Sequence, residues 1–274
     1  MIKKYNDGNE YYFANGMWIR NFTKSATPID INNITEQKDY RIIVENEIKN
    51  SAFDISEIDA NKIKHKKAII ISDGFDFANK QKIILDIPND VLVICTNRSL
   101  SKWRINKKVD YFVVNNPYKE CMNLLPKHKY YPSCLISSRT NYEFVNEYDK
   151  RGGSLYKYSS TPEENFSSSI NKSICVIDDY RNPICAAIGL CYKFGVSKLM
   201  LFCCDSSYNT NQPSSEKLNI GLWIYPQQKI SHDIIDGNLY WYKKRGAVLA
   251  DHSSGPEYQN VNYINENDIV EFFK

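Results

Sequence analysis

Five polar clusters in this 274-residue chain each follow an apolar run: Asp73-Gly74, Thr96-Asn97-Arg98-Ser99, Asn115-Asn116-Pro117, Asp178-Asp179-Tyr180-Arg181-Asn182 and Asp205-Ser206-Ser207. Carboxylates, amides and guanidinium groups in such places can hold sugars or phosphates. Asn97 and Ser99 suit a sugar or phosphate, with Arg98 adding charge. Gly74 permits close approach to the backbone, and the helix expected after it could offer its N–H groups to phosphate. A tight strand-to-helix turn explains the same pair without a ligand. The cluster from Asp178 to Asn182 places two carboxylates, a guanidinium and an amide at an expected helix start. An N-cap accounts for Asn182 or one aspartate, but not for the whole group. His232 lies between Ser231 and Asp233 at the expected start of another helix. Such a histidine can act as a general base near neutral pH, oriented by the neighbouring carboxylate. A solvent-facing residue of a first helical turn is the plain alternative. His252, in Asp251-His252-Ser253-Ser254, is a competing candidate expected just beyond a strand, whereas His65 and His128 fall in basic loops.

Several common chemistries are excluded by what the clusters lack. Neither the dinucleotide pattern G-x-G-x-x-G nor the P-loop G-x-x-x-x-G-K-[ST] occurs. No Asp-x-Asp follows an apolar strand, so no metal site is assigned. The eight cysteines include no C-x-x-C, and the four histidines are isolated; a structural zinc is not expected. Cys95, Cys175, Cys203 and Cys204 lie in or beside apolar runs, while Cys185 and Cys191 fall on an expected helix. They read as reduced, buried thiols.

The elements that must position these clusters are legible from Lys66 onward. Lys67–Ser72, Val91–Thr96 and Asp110–Asn115 are short, nearly continuous apolar runs, as in strands covered on both faces. A helical stretch of about ten residues separates the first two. Weaker strands are expected near Cys134–Ser137 and Leu155–Tyr158. From Ser173 to Asp205 the pattern is strand, helix, strand. Its helix, over Asn182–Phe194, has an apolar stripe, Pro183 in its first turn and Gly195 at its C-terminal cap. That is a βαβ crossover, which requires a parallel sheet. A polar loop over Asp205–Lys217, a strand at Gly221–Tyr225, a helix over Ser231–Arg245, a last strand at Gly246–Ala250 and a terminal helix at Glu266–Phe273 complete the pattern. The expected fold is α/β: a doubly wound, mostly parallel, Rossmann-like sheet over residues 61–274. Residues 1–60 read as an N-terminal extension, a hairpin or an arm. In such sheets ligands bind outside the carboxyl ends of the strands, where the five clusters sit.

Composition bounds the class. A hydrophobic fraction of 42% with 24% charged residues fits a globular core, and the net charge is +3. No run approaches the ~18 apolar residues needed to span a bilayer, and the N-terminus lacks a signal-peptide apolar region. A cytoplasmic protein with no membrane span is expected. Basic residues gather at Lys62–Lys67, Ser101–Lys108 and Lys243-Lys244-Arg245, the last beside Tyr240-Trp241-Tyr242. Those rings could stack bases, although consecutive helical positions diverge and core packing of one or two is expected.

Lys66-Lys-Ala-Ile-Ile-Ile-Ser-Asp-Gly-Phe75, Val93-Ile-Cys-Thr-Asn-Arg-Ser-Leu100 and Val109-Asp-Tyr-Phe-Val-Val-Asn-Asn-Pro117 resemble the opening strands of one superfamily. It contains motility-accessory-factor glycosyltransferases, archaeal 6-hydroxymethylpterin diphosphokinases and bacterial lipooligosaccharide sialyltransferases. The stretch from Asp178 to Asp205 is similar to its second signature. Of the family's Gly-x-Gly-Pro-Ser after the first strand, only Gly74 is kept. The resemblance implies a glycosyltransferase with a UDP- or CMP-sugar donor, no required cofactor, and a glycan or protein acceptor; the basic clusters, the mild positive charge and the Lys-, Asn-, Ile- and Tyr-rich composition also suit hydroxymethylated DNA as the acceptor. The resemblance matches Asn97 to the asparagine that contacts the nucleotide sugar in the sialyltransferases, and with the strand-end clusters the expected nucleotide-sugar contacts are Asp73, Gly74, Asn97, Arg98, Ser99, Asn116, Arg181, Asn182, Asp205 and Ser206. His232 then deprotonates the acceptor, with Asp233 and Asp179 as further catalytic groups. Two alternatives stay open: a Mg-ATP-dependent diphosphate transferase using Asp178, Asp179 and Asp205, and a non-catalytic nucleotide-binding assembly protein.

Overall fold

The computed structural model describes residues 2–4, 10–14, 17–20, 34–59, 63, 65–74, 77–127, 130–160, 176–177, 182–205, 226–254 and 257–274, with side chains from 41 onward except 159–160, 176–177 and 226–230. Three strands come first: β1 (Ile2–Lys4), β2 (Glu10–Ala14) and β3 (Met17–Arg20), paired antiparallel. After α1 (Ile34–Ser51) the apolar runs become β4 (Lys67–Ile71), β5 (Leu92–Thr96), β6 (Tyr111–Val114), β7 (Ser133–Ser137), β8 (Leu155–Ser160) and β9 (Val176–Ile177). They are followed by β10 (Lys198–Phe202), β11 (Val248–His252) and β12 (Asn262–Tyr263). The helices between are α2 (Phe77–Lys80), α3 (Tyr142–Lys150), α4 (Pro183–Lys193), α5 (Pro226–Lys244) and α6 (Ile269–Phe273).

Strands β4 to β12 form one sheet in the order β12-β11-β10-β4-β5-β6-β7-β8-β9, and every pairing in it is parallel. Side chains alternate across a strand, so each strand feeds two cores. Ala68, Ile70, Leu92, Ile94, Val113, Leu199 and Leu201 pack under α4 and α5. Ile69, Ile71, Val93, Cys95, Phe112, Val114, Met200 and Phe202 pack on the other face with α3, Phe77 and Phe273. This is the doubly wound, Rossmann-like sheet expected. The seven described cysteines are all buried; burial pushes the Cys95 thiol up to about 12, with Ser99 pulling weakly the other way. Among the described residues no helix is long and apolar enough to cross a membrane.

The crossover helix α4 forms as its sequence directs. Asn182 Oδ1 accepts the Ile184 N–H at 2.8 Å, and Pro183 occupies the first turn, where a missing N–H costs nothing. Ile184, Cys185, Ala187, Ile188 and Cys191 supply its buried face. Gly195 closes it with φ 71°, a left-handed conformation that favours glycine. Asn182→Ala is expected to lower stability by about 1 kcal/mol, read as a shift of the urea midpoint without a change in slope.

Two expectations are corrected. Helix α5 begins at Pro226, so His232 sits inside it, about two turns from its start. Strand β11 covers Val248–His252, so His252 belongs to the strand, and β12 follows it. The extension contains α1, which docks on the sheet through polar groups. Asn46 Nδ2 donates to the Pro117 carbonyl at 2.8 Å, Asn50 Nδ2 to those of Ser138 and Thr140, and Arg139 Nε to Glu47. The expected strand at Gly221–Tyr225, residues 173–175 of another, Cys175 and His128 lie outside the described residues.

Candidate functional site at the carboxyl edge of the sheet

From β4 to β9 each strand lies beside its predecessor; the chain then returns through α4 to lay β10 on the other side of β4. The strand order therefore reverses between β4 and β10. Helices leaving neighbouring strands there pass to opposite faces, opening a crevice at the carboxyl ends. Ser72-Asp73-Gly74 lines one side and Cys203-Cys204-Asp205 the other.

The two sides are tied together by backbone. Ser72 N–H donates to the Phe202 carbonyl at 3.0 Å and Gly74 N–H to that of Cys203 at 2.9 Å. Asp205 Oδ1 accepts the Ser254 N–H at 2.8 Å, and Lys80 Nζ donates to Ser254 Oγ at 2.8 Å. A Cβ on Gly74 would fall well inside 3.0 Å of both Asp205 Oδ2 and the Cys203 carbonyl oxygen. Packing against Asp205 and the Cys203 carbonyl is thus enough by itself to require a glycine here. Asp73 pairs with Lys102 at 3.1 Å.

Two non-glycine residues with positive φ flank β4: Asn97 after β5 and Cys203 after β10, both at φ 53°. Such conformations carry strain and cluster at functional sites, with asparagine tolerating them best. Asn97 Nδ2 donates to Ser72 Oγ at 2.9 Å, which aims the amide at the end of β4. Ser99 sits deeper: its buried hydroxyl donates to the Ile71 and Thr96 carbonyls at 3.1 and 2.7 Å and joins β4 to β5. Arg98 is exposed beside it.

On the far side of β10, Asp251 at the end of β11 is 1% exposed. Burial pushes its carboxyl up to about 7; the Ser253 hydroxyl opposes this and the Asp205 carboxylate adds to it. Ser253 Oγ donates to Asp251 Oδ1 at 2.6 Å and accepts the Cys204 N–H at 2.8 Å. Tyr258 donates its hydroxyl to the Cys204 carbonyl at 2.5 Å, and its ring stacks on His232 at 4.3 Å and 9°. His232 is thereby connected to the end of β10, buried, with Nδ1 3.8 Å from Asp233 Oδ1. His252 points to the opposite face, stacked between Phe202 and Tyr263, with Nδ1 2.9 Å from the Ile264 carbonyl.

The structure thus brings together Asp73, Gly74, Asn97, Arg98 and Asp205, with His232 and Asp233 joined to them through Tyr258. Asn116 lies two strand positions from β4, where its Oδ1 accepts the Tyr118 N–H at 2.8 Å and shapes the turn after β6. Asn182 is occupied in capping α4. Asp178, Asp179, Arg181, Ser206 and the loop over 206–217 lie outside the described residues. Among the described ones no group of three or more His, Cys, Asp or Glu could hold a metal ion.

Ser72, Lys102, Asp251, Ser253, Ser254 and Tyr258 complete the site and were not marked by the strand-end pattern. Ser253 and Ser254 were findable: once β11 is extended to His252, they are the next strand-end cluster. No family model matches the chain and no curated protein matches it, so its reading rests on the geometry of the crevice.

Proposed function

We propose that the chain is a glycosyltransferase that seats a UDP- or CMP-sugar in the crevice between β4 and β10. The observation that carries this reading is the meeting of the Asp205 carboxylate, the Gly74 backbone and the Asn97 amide at the point where strand order reverses. Asp205, held by Ser254, accepts hydroxyl hydrogen bonds from the nucleotide sugar. Asn97 offers an amide fixed by Ser72, and Arg98 supplies positive charge toward the phosphates. Positioning and charge stabilisation of this kind accelerate transfer from a phosphate leaving group. His232 takes the acceptor's hydroxyl proton, and Asp233 stabilises the imidazolium that results. The acceptor is a glycan, a protein or DNA.

A thermal-shift series with UDP, CMP, GDP and ATP, each with and without Mg²⁺, tests the reading. A nucleotide at about 100 times its Kd stabilises by roughly 2.7 kcal/mol, a rise of about 5 °C or more for a chain of this size. The expected result is a metal-independent shift with UDP or CMP that falls by more than half in Asn97→Ala and Asp205→Asn. Asp205 at the crevice equally favours diphosphate transfer from Mg-ATP; a shift with Mg-ATP alone selects that reading. A shift without turnover of any sugar donor selects nucleotide binding in an assembly role.

A further inference from the structure

The opposite edge of the sheet carries a surface with a chemistry of its own. Helices α4 and α5 pack side by side and end together. Tyr192, Tyr240 and Trp241 are exposed there, at 41%, 38% and 42% of their surface, whereas Tyr242 is buried and donates its hydroxyl to the Val196 carbonyl at 2.6 Å. Around the exposed rings stand Lys193, Lys243, Lys244 and Arg245. The Arg245 guanidinium lies 4.4 Å above the Tyr192 ring, and Lys244 Nζ lies 5.4 Å from the Tyr240 ring. Lys66 extends the basic rim, since Ser197, which pairs with Val248, also bonds to its carbonyl.

No carboxylate occurs from Tyr192 to Lys198 or from Asn238 to Ala250. Among the described residues none of Lys193, Lys243, Lys244 and Arg245 has an ion-pair partner. Cations at helix C-termini complement the helix dipole, which accounts for their charge. It does not account for three exposed aromatic rings beside them. Partly exposed rings beside cations that have no ion-pair partner match single-stranded nucleic acid, whose bases stack on rings and on the Arg245 guanidinium while its phosphates meet the cations. Insertion into a lipid surface also calls for a broad apolar face, and Val248 is the one exposed aliphatic residue in this group.

We propose that the paired ends of α4 and α5 form a binding surface for single-stranded nucleic acid, with Tyr192, Tyr240 and Trp241 stacking bases and Lys193, Lys243, Lys244 and Arg245 contacting phosphates. The proposal stands independently of the donor crevice, which lies at the other edge of the sheet.

Fluorescence anisotropy with a labelled dT12 oligonucleotide tests it on the full chain. Binding in the micromolar range at 50 mM salt is expected, weakening about 20-fold at 200 mM if three phosphates are contacted. Lys243→Glu combined with Lys244→Glu removes most of the affinity and flattens the salt dependence. Tyr240→Ala and Trp241→Ala each weaken binding about tenfold and leave the salt slope unchanged, because stacking is lost without charge. Thermal midpoints of all variants confirm the fold. Absence of binding at 50 mM salt overturns the proposal, as does affinity that these substitutions leave unaltered. Sedimentation with phosphatidylserine-containing vesicles, unaccompanied by dT12 binding, overturns it in favour of a membrane surface.

Discussion

Replacing Gly74 with alanine is expected to destabilise the protein by about 3 kcal/mol and to abolish the nucleotide-dependent thermal shift. The added methyl would press on the Cys203 carbonyl oxygen and on Asp205 Oδ2. The first is backbone and cannot rotate away, so the hydrogen bond from Gly74 N–H to that carbonyl must lengthen or break. Overpacking of this kind costs about 1–3 kcal/mol, and a lost buried hydrogen bond adds roughly 1 more. Gly195→Ala serves as the comparison: its φ of 71° disfavours alanine, but an added Cβ meets nothing within 4 Å. That substitution should cost about 1 kcal/mol and leave nucleotide binding intact. Urea denaturation and the thermal-shift series together separate the two. Equal losses of stability, with binding kept in both, would show that Asp205 does not depend on Gly74.

The second large effect concerns pH. Asp251 is raised to about 7 by burial, against about 3.9 in an unfolded chain. The folded protein therefore holds this proton more tightly than the unfolded one. Its contribution to stability is complete below pH ~4, declines as pH rises from there to about 7, and is gone above. A gap of about three pH units sets an upper bound near 4 kcal/mol. Asp251→Asn keeps an acceptor for the Ser253 hydroxyl and cannot ionise. The variant should exceed the parent by about 2 kcal/mol at pH 8 and show no advantage at pH 4. Denaturant midpoints between pH 4 and 8 check this, and parallel profiles for parent and variant would assign the proton elsewhere.

Much of this architecture is readable in the chain because a parallel strand is buried on both faces. The apolar runs at β4, β5, β6 and β10 stand out against polar ends, and a strand's polar end is where a ligand must bind. Helix α4 announces itself through Asn182, Pro183 and Gly195. Helix α1 does not, because it docks through Asn46, Glu47 and Asn50 and so lacks the apolar stripe by which helices are recognised. The start of α5 was signalled by Pro226, a residue suited to a first helical turn, but the serine at 231 resembles a cap more strongly. What no periodicity encodes is strand order. That β10 lies against β4, and that Gly74 therefore meets Asp205, follows from the path of the crossover and from packing distant in sequence.

That path also bears on when the crevice comes into being. Successive pairing from β4 to β8 joins near neighbours in the chain, so those strands can zip together with modest loop-closure cost. The β4–β10 pairing instead matches Lys67 with Lys198, about 130 residues apart. Contacts of such long sequence separation close late in folding, since their entropy must be overcome before they are rewarded. The crevice between β4 and β10 is then among the last parts of the molecule to form. On a ribosome, it cannot assemble until the chain has been made through β10, so the crevice does not exist before that stretch has emerged.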